Sequence, residues 1–448
     1  MIKKLNYRNI TNVLLAFVFI LLTFRILYYI SMYASNVPFW DQWDYFNTIF
    51  ENKSYLDSFL YVHAPHRQGI GFVIDRFILE TVQLDTRSSS YLIAFIYLMS
   101  SLIAVGIKNR LVGKNGLHTI MIPFFFLTIG FFETMILTPN PSHGAFPVFI
   151  LLLFAFMMQS KWNSFLKVGI LLLLDLFAVF TGFSVFAGLI IPFLFLPLAI
   201  FENGNKKKIT LYIFATIASI FIFTLFFYKY QFHSASDCFQ FPHPRPLEYL
   251  DFMIYVNAFQ VGLQDSYFIG SIMFLVYLMT FFLSFFRVVK GLFIKHKSSI
   301  FYLVIFFLIS FALLFEMNIA VGRVCFGVKA GQSSRYLPYL NLGVFAVYLA
   351  FLKEPFFSKL TKNIVILLVL IFFVLQLFKS KQIDLTLKHH KVGKENWIKC
   401  YKETKDLGLC QSTYQIYPYD HLIETKLLIL ESNQWSFFHN ENIIFTKE

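Results

Sequence analysis

The chain has 448 residues, of which 57% are hydrophobic, 20% aromatic and only 14% charged, against roughly 25% charged in soluble domains. Sixty phenylalanines exclude an ordinary soluble enzyme and place the chain among membrane proteins. The formal net charge of +13 does not argue for a nucleic-acid partner, because many basic residues fall in short segments between apolar runs.

The first apolar run, from about Thr11 to about Tyr29, is long enough to span a bilayer. No small-residue cleavage site follows it, so a retained helix is expected and not a cleaved signal. Apolar stretches predict eleven spans, a few of them short: about 12–31, 89–107, 118–136, 145–160, 168–181, 183–201, 209–228, 267–286, 298–317, 336–352 and 363–378. With a cytoplasmic N-terminus, the cytoplasmic segments are "MIKKLNYR", "KNRLVGK", "QSKWNSFLK", "NGNKKK", "RVVKGLFIKHK" and "KEPFFSKLTK", each with two or more Lys or Arg. The intervening "LTPNPSHG" has none. The break "FTGFS" at 180–184 leaves open whether 168–201 is two spans or one kinked helix; two spans preserve the alternation. Lys379 and Lys381 run against it at the last exit. Every long connection then lies on the extracytoplasmic side: 32–88, 229–266, 318–335 and the tail from about Lys379. The expected fold is an all-α polytopic membrane protein of about eleven helices. It divides into a transmembrane domain, 1–378, and a small extracytoplasmic cap, 379–448.

The outer loops hold the polar residues that ask for an explanation. In "PFWDQWDYF", Asp41 and Asp44 are three apart and share one side of a helical turn. Trp40 and Trp43 suit an aromatic belt, and the plainer reading makes the pair interface anchors beside solvated aspartates. Further along, His63, His66, Arg67, Asp75 and Arg76 surround "GIGFVI", which reads as a helix lying along the interface, with Pro65 near its start. His63 and His66 form a weak "HxxH", and "HExxH" is absent. A divalent cation, Mg or Mn, would instead favour Asp41 or Asp44 together with a phosphate. In "VGRVCFGVKAGQSSRYLPYLNL", Arg323, Lys329 and Arg335 gather on the side where positive charge is disfavoured. Such groups suit a phosphate, the arginines by a bidentate contact; snorkelling to anionic headgroups is the alternative.

Elsewhere the polar residues are sparse. His243 and Arg245 lie in a loop that reads as structural, Arg25 and Asp175 fall inside spans, and Glu133 and Glu316 approach outer span ends, where they could line the cavity. Four cysteines do not make a disulfide scaffold; the spacing of Cys400 and Cys410 leaves a local bridge open. Neither "GxxxxGK[ST]" nor "GxGxxG" occurs.

An apolar groove with a cationic end and a nearby carboxylate suits a lipid-phosphate-linked sugar and a hydroxyl acceptor. On "FWDQWD", "HAPHR" and "GRVCFG…SSRY", residues 1–378 resemble the membrane-embedded GT-C glycosyltransferase superfamily, in particular its bacterial multi-pass members. The resemblance implies a polyprenyl-phosphate sugar donor and a site at the extracytoplasmic face of the inner membrane. Asp41 would be the catalytic base with Asp44 in reserve, and His66, Arg67, Arg76, Arg323, Lys329 and Arg335 would bind lipid phosphate or sugar. The sequence departs from the pattern at His63, where related loops carry an acidic residue or Asn, so no role comes over to it. Expected partners are the lipid-linked sugar, membrane lipids and a glycan, lipid or protein acceptor. The competing classes are a flippase or transporter of surface glycan, which would carry charges through its spans, a polymerase with outer-face loops, and a non-catalytic envelope-assembly protein.

Overall fold

The computed structural model describes residues 7–63, 65–201, 206–232, 238–294, 299–354, 358, 362–364, 366–367, 369, 371 and 381–439. Apart from a two-residue ribbon, Val62–His63 against His66–Arg67, the regular structure among the described residues is helical. Six helices among the described residues are long and apolar enough to cross a membrane: Asn9–Tyr33, Arg87–Leu111, Lys206–Leu225, Tyr267–Phe293, Ile300–Phe326 and Ser334–Lys353. A seventh span results if Gly182–Leu189 and Pro192–Phe201, bent by 55°, count as one. The protein is thus a multi-pass, largely helical membrane protein. Aromatic and aliphatic side chains such as Phe214, Phe268 and Met279 stand exposed on its long helices, a surface suited to lipid.

The expectation of about eleven spans is therefore corrected, and each lost span has a local cause. The stretch 118–136 is broken: the helix Met121–Phe126 ends at Leu127, and the Thr128 side chain then accepts from Gly130 N–H at 3.0 Å, capping a fresh turn. A π-turn, Glu133–Leu137, follows. The helix Ala145–Met158 has 14 residues, about 21 Å at 1.5 Å per residue, against roughly 30 Å of hydrocarbon. It is apolar all round because protein surrounds it. The helix Ser164–Phe180 has 17 residues and ends before Gly182, whose φ of +56° and close approach to Ser142 O exclude a side chain. That glycine makes "FTGFS" a break, and Pro192 then opens the next helix. The span expected at 363–378 lies largely outside the described residues.

Two cores organise the molecule. The larger joins the helices, with Ser299–Arg323 and Leu337–Lys353 at its centre. The smaller is shared between the two ends of the chain: Trp43, Tyr45, Phe46, Phe72 and Leu79 pack with Trp397, Ile416, Ile423 and Leu427. The segment 381–439, built on the helices Lys381–Thr404, Leu407–Thr413 and Asp420–Ser432, is therefore fixed to the segment 37–84. Hydrogen bonds sew the same seam. Trp40 N–H donates to Ile416 O at 2.8 Å, Lys426 Nζ to Trp43 O at 2.7 Å, and Lys391 Nζ to Met32 O at 2.8 Å. All four cysteines are paired, Cys238 with Cys325 and Cys400 with Cys410. The bridges are two separate staples.

Candidate active site

The segment 38–46 enters the site through one turn of helix, Gln42–Tyr45, with Asp41 at its N-cap. Gln42 locks the turn from beneath. Its Oε1 accepts from Phe39 N–H and its Nε2 donates to Pro139 O, both at 3.1 Å. The two aspartates have different neighbours. Asp44 Oδ1 accepts from Tyr417 Oη at 2.8 Å and lies 3.8 Å from Lys426 Nζ, so it is committed to the C-terminal segment. Asp41 Oδ2 instead lies 4.0 Å from His63 Nε2, and its side chain is 48% exposed. Enclosure by protein alone would raise the Asp41 carboxyl. His63 and, more weakly, His143 and Arg335 outweigh it and hold the group at about 2.

Three imidazoles meet beside this carboxylate. The short ribbon pairs His63 with His66, in place of the helix start expected near Pro65; the helix begins at Gly69. His66 Nε2 shares a hydrogen bond with His143 Nε2, and the His66 ring lies 4.5 Å from the Phe183 ring. His63 stands 6.4 Å, centroid to centroid, from each of the other two. Burial first, then the neighbouring positive groups, pushes His66 well below the ordinary histidine range and His143 to about 3. Both are neutral near pH 7, so one ring of the pair donates and the other accepts. His66 Nδ1 is buried without a hydrogen-bond partner.

The cations divide into those bound up in the fold and those near the carboxylate. Arg67 is buried and donates to three backbone carbonyls, those of Leu60, Phe226 and Tyr228. Arg76 bonds Glu80 at 2.6 Å and Ser58 Oγ at 2.8 Å. Lys329 pairs with Asp265 at 2.6 Å on the surface. These three knit loops together. Arg335 donates through Nε to Glu133 Oε1 at 2.8 Å and through a terminal nitrogen to the same oxygen. Ser333 and Ser334 hydroxyls donate to Glu133 Oε2 at 2.6 and 3.2 Å. Burial would raise Glu133, but Arg335 and the two hydroxyls bring it below the usual carboxylate range. Arg323, at the end of its helix, stacks over Phe326 at 5.7 Å, and its charge reaches both His66 and His143.

The structure thus gathers Asp41, His66, Arg323 and Arg335 of the sequence candidates, and it spreads Asp44, Arg67, Arg76 and Lys329 among other partners. Two neighbours escaped sequence reasoning, and a third was read without its partner. His143 sits in "LTPNPSHG", which drew notice only for lacking Lys and Arg; its Pro-Asn-Pro turn signals were the available clue. Glu133 was noticed as a span-end carboxylate without its partner. Lys394 is buried, donates to Leu137 O at 2.8 Å and lies 4.5 Å from the Phe39 ring. Burial lowers its ammonium to about 7. Among the described residues no three His, Cys, Asp or Glu are arranged to hold a metal. The groups around Asp41 are imidazoles and guanidiniums, a poor shell for Mg or Mn, which take oxygen ligands.

Compared with family models, with curated proteins and with solved structures, the chain matches none.

Proposed function

We propose that this protein is a GT-C-type glycosyltransferase that moves a sugar from a polyprenyl-phosphate donor to a hydroxyl acceptor of the cell envelope. The observation that carries the reading is a half-exposed carboxylate, Asp41, 4.0 Å from His63 Nε2 in a histidine cluster on which the charges of Arg335 and Arg323 also act. Asp41 takes the acceptor hydroxyl proton as that oxygen bonds to the anomeric carbon. The bond from that carbon to the phosphate oxygen breaks on the opposite side, and the electron pair leaves with the lipid phosphate. Arg323 receives the growing phosphate charge, with Arg335 behind it. A single displacement inverts the anomeric centre. Neutral His66 and His143 line the cluster without competing for the proton, and His63 orients the carboxylate.

The face carrying this site is the extracytoplasmic one in our reading, in a bacterial inner membrane with the N-terminus cytoplasmic. Two features support the side. Cys325 lies two residues from Arg323 in a disulfide, and Cys400–Cys410 lies in the segment clamped over Asp41; such bridges persist in oxidising compartments. The basic segments named above would then face the cytoplasm.

The test is transfer from a panel of radiolabelled polyprenyl-phosphate sugars by the purified membrane protein. Asp41→Asn is expected to lower turnover by at least about a hundredfold with protein abundance in the membrane unchanged. Wild-type turnover in that variant refutes the assignment.

A further inference from the structure

Trp40 and Trp43, three residues apart beside the same carboxylate, have opposite surroundings. Trp43 is fully buried in the core shared with the C-terminal segment, whereas Trp40 is 42% exposed. Trp40 also has a φ of +49°. For a bulky side chain that is an outlier, and residues held so cost roughly 1–3 kcal/mol and persist only where the surroundings enforce them. Other non-glycine residues share a positive φ, among them Asn52, Gln83 and Ser436, but among the described residues Trp40 is the one aromatic of the group.

The enforcement is visible. Trp40 N–H donates to Ile416 O at 2.8 Å, Trp40 O accepts from Trp43 N–H at 3.0 Å, and Phe39 O accepts from Gln42 N–H at 3.1 Å. Phe39 is itself fixed, stacked on Tyr414 at 5.9 Å with Lys394 on its ring. The Trp40 indole packs edge-to-face with Phe39 at 6.1 Å and leaves part of its surface to solvent. A tryptophan serving only to anchor the chain at a lipid interface needs no left-handed backbone, because any ordinary conformation reaches the headgroups. Strain held in place beside an accessible carboxylate is the signature of a residue aimed at a ligand.

We infer that Trp40 is a stacking platform for the pyranose ring of the transferred sugar, set by its backbone turn immediately before Asp41. This rests on the sugar-transfer reading. An indole presents a broad, rigid apolar face with little rotamer entropy to lose, suited to the C–H face of a pyranose and indifferent to a free phosphate. The platform sets which sugar is held, while Asp41 sets whether it reacts.

The test uses the full-length protein in detergent with tritiated polyprenyl-phosphate hexoses and pentoses, comparing wild type, Trp40→Phe and Trp40→Gly. Glycine accepts the left-handed conformation freely, so Trp40→Gly is expected to melt within about 2 °C of wild type. Its KM and its equilibrium dissociation constant for the donor should rise by about tenfold or more, with kcat within about threefold, the pattern of lost uniform binding. Trp40→Phe should retain most of the affinity. Unchanged donor affinity in Trp40→Gly overturns the platform, as does a fall in kcat alone, which would make Trp40 a prop for Asp41. Direct binding keeps the two readings separate. Weakened binding by Trp40→Gly with no turnover in wild type sustains the platform and refutes the transferase. Turnover in wild type with unaltered binding by Trp40→Gly does the reverse, and no donor binding by wild type refutes both.

Discussion

The Glu133–Arg335 pair offers the most direct measurement of how the site is held together. The perturbation is a double-mutant cycle of Glu133→Ala, Arg335→Ala and the combined variant. Two guanidinium N–H groups reach one Glu133 oxygen, and two serine hydroxyls reach the other. Charge-assisted hydrogen bonds contribute about 1.5–3 kcal/mol each when shielded. The Arg335 side chain is 39% exposed and that of Glu133 21%, and solvent brings open pairs below about 1 kcal/mol. The pair lies between these limits, so a coupling energy of about 2 kcal/mol is expected. Reversible unfolding in mixed micelles, followed by near-ultraviolet circular dichroism, reads it. The single Glu133→Ala variant should lose more than the pair itself contributes, because Arg335 and both serines lose their acceptor. A coupling below about 0.5 kcal/mol would refute the reasoning and make the contact incidental.

Two further outcomes follow from the same geometry. Gly69 has a φ of +57°, and a Cβ there would stand 2.2 Å from Phe180 O, whereas a Cβ on Gly113, φ +115°, meets nothing within 4 Å. Gly69→Ala should therefore cost several kcal/mol or prevent accumulation, and Gly113→Ala about 1 kcal/mol; comparable melting temperatures for the two would contradict the packing described. The histidine pair sets a pH dependence. The folded His143 titrates near 3, below the unfolded value of about 6.5, so the unfolded state binds the proton first. Stability should be flat above about pH 6.5 and fall toward pH 3, by at most about 1.4 kcal/mol per pH unit for each histidine. His143→Asn should flatten that limb. Asp41 loses its own contribution lower, between about 3.8 and 2; a wild-type profile level down to pH 4 would refute the burial argument.

How much of this was legible beforehand depends on what surrounds each residue. A long apolar run reads as a helix, and the six longest were found. Whether a shorter run meets lipid or protein is not written in its hydrophobicity. Ala145–Met158 is as apolar as a span but is packed on every side by neighbours, and Met121–Phe126 stops where Thr128 caps a new turn. Asp41 stood out because a carboxylate beside an apolar run demands an account. Arg67 stood out for the same reason, yet its partners are backbone carbonyls at Leu60, Phe226 and Tyr228, which no pattern of side chains announces. The C-terminal segment was under-read. Leu387, Lys394, Trp397 and Tyr401 are the buried positions of Lys381–Thr404, spaced by seven, three and four, the period of one helical face. That stripe was a legible sign of docking.

The clamp between Ile416 and Trp40 gives the protein an order of completion. The carboxylate at position 41 is synthesised early, yet the carbonyl that bends the backbone beside it arrives some 370 residues later. Every helix between must already be inserted before that closing bond forms. A chain stalled or clipped ahead of Ile416 would hold all the membrane helices and most of the polar cluster but leave Trp40 free to relax. Such a half-made molecule would lack the carbonyl that holds the turn before Asp41.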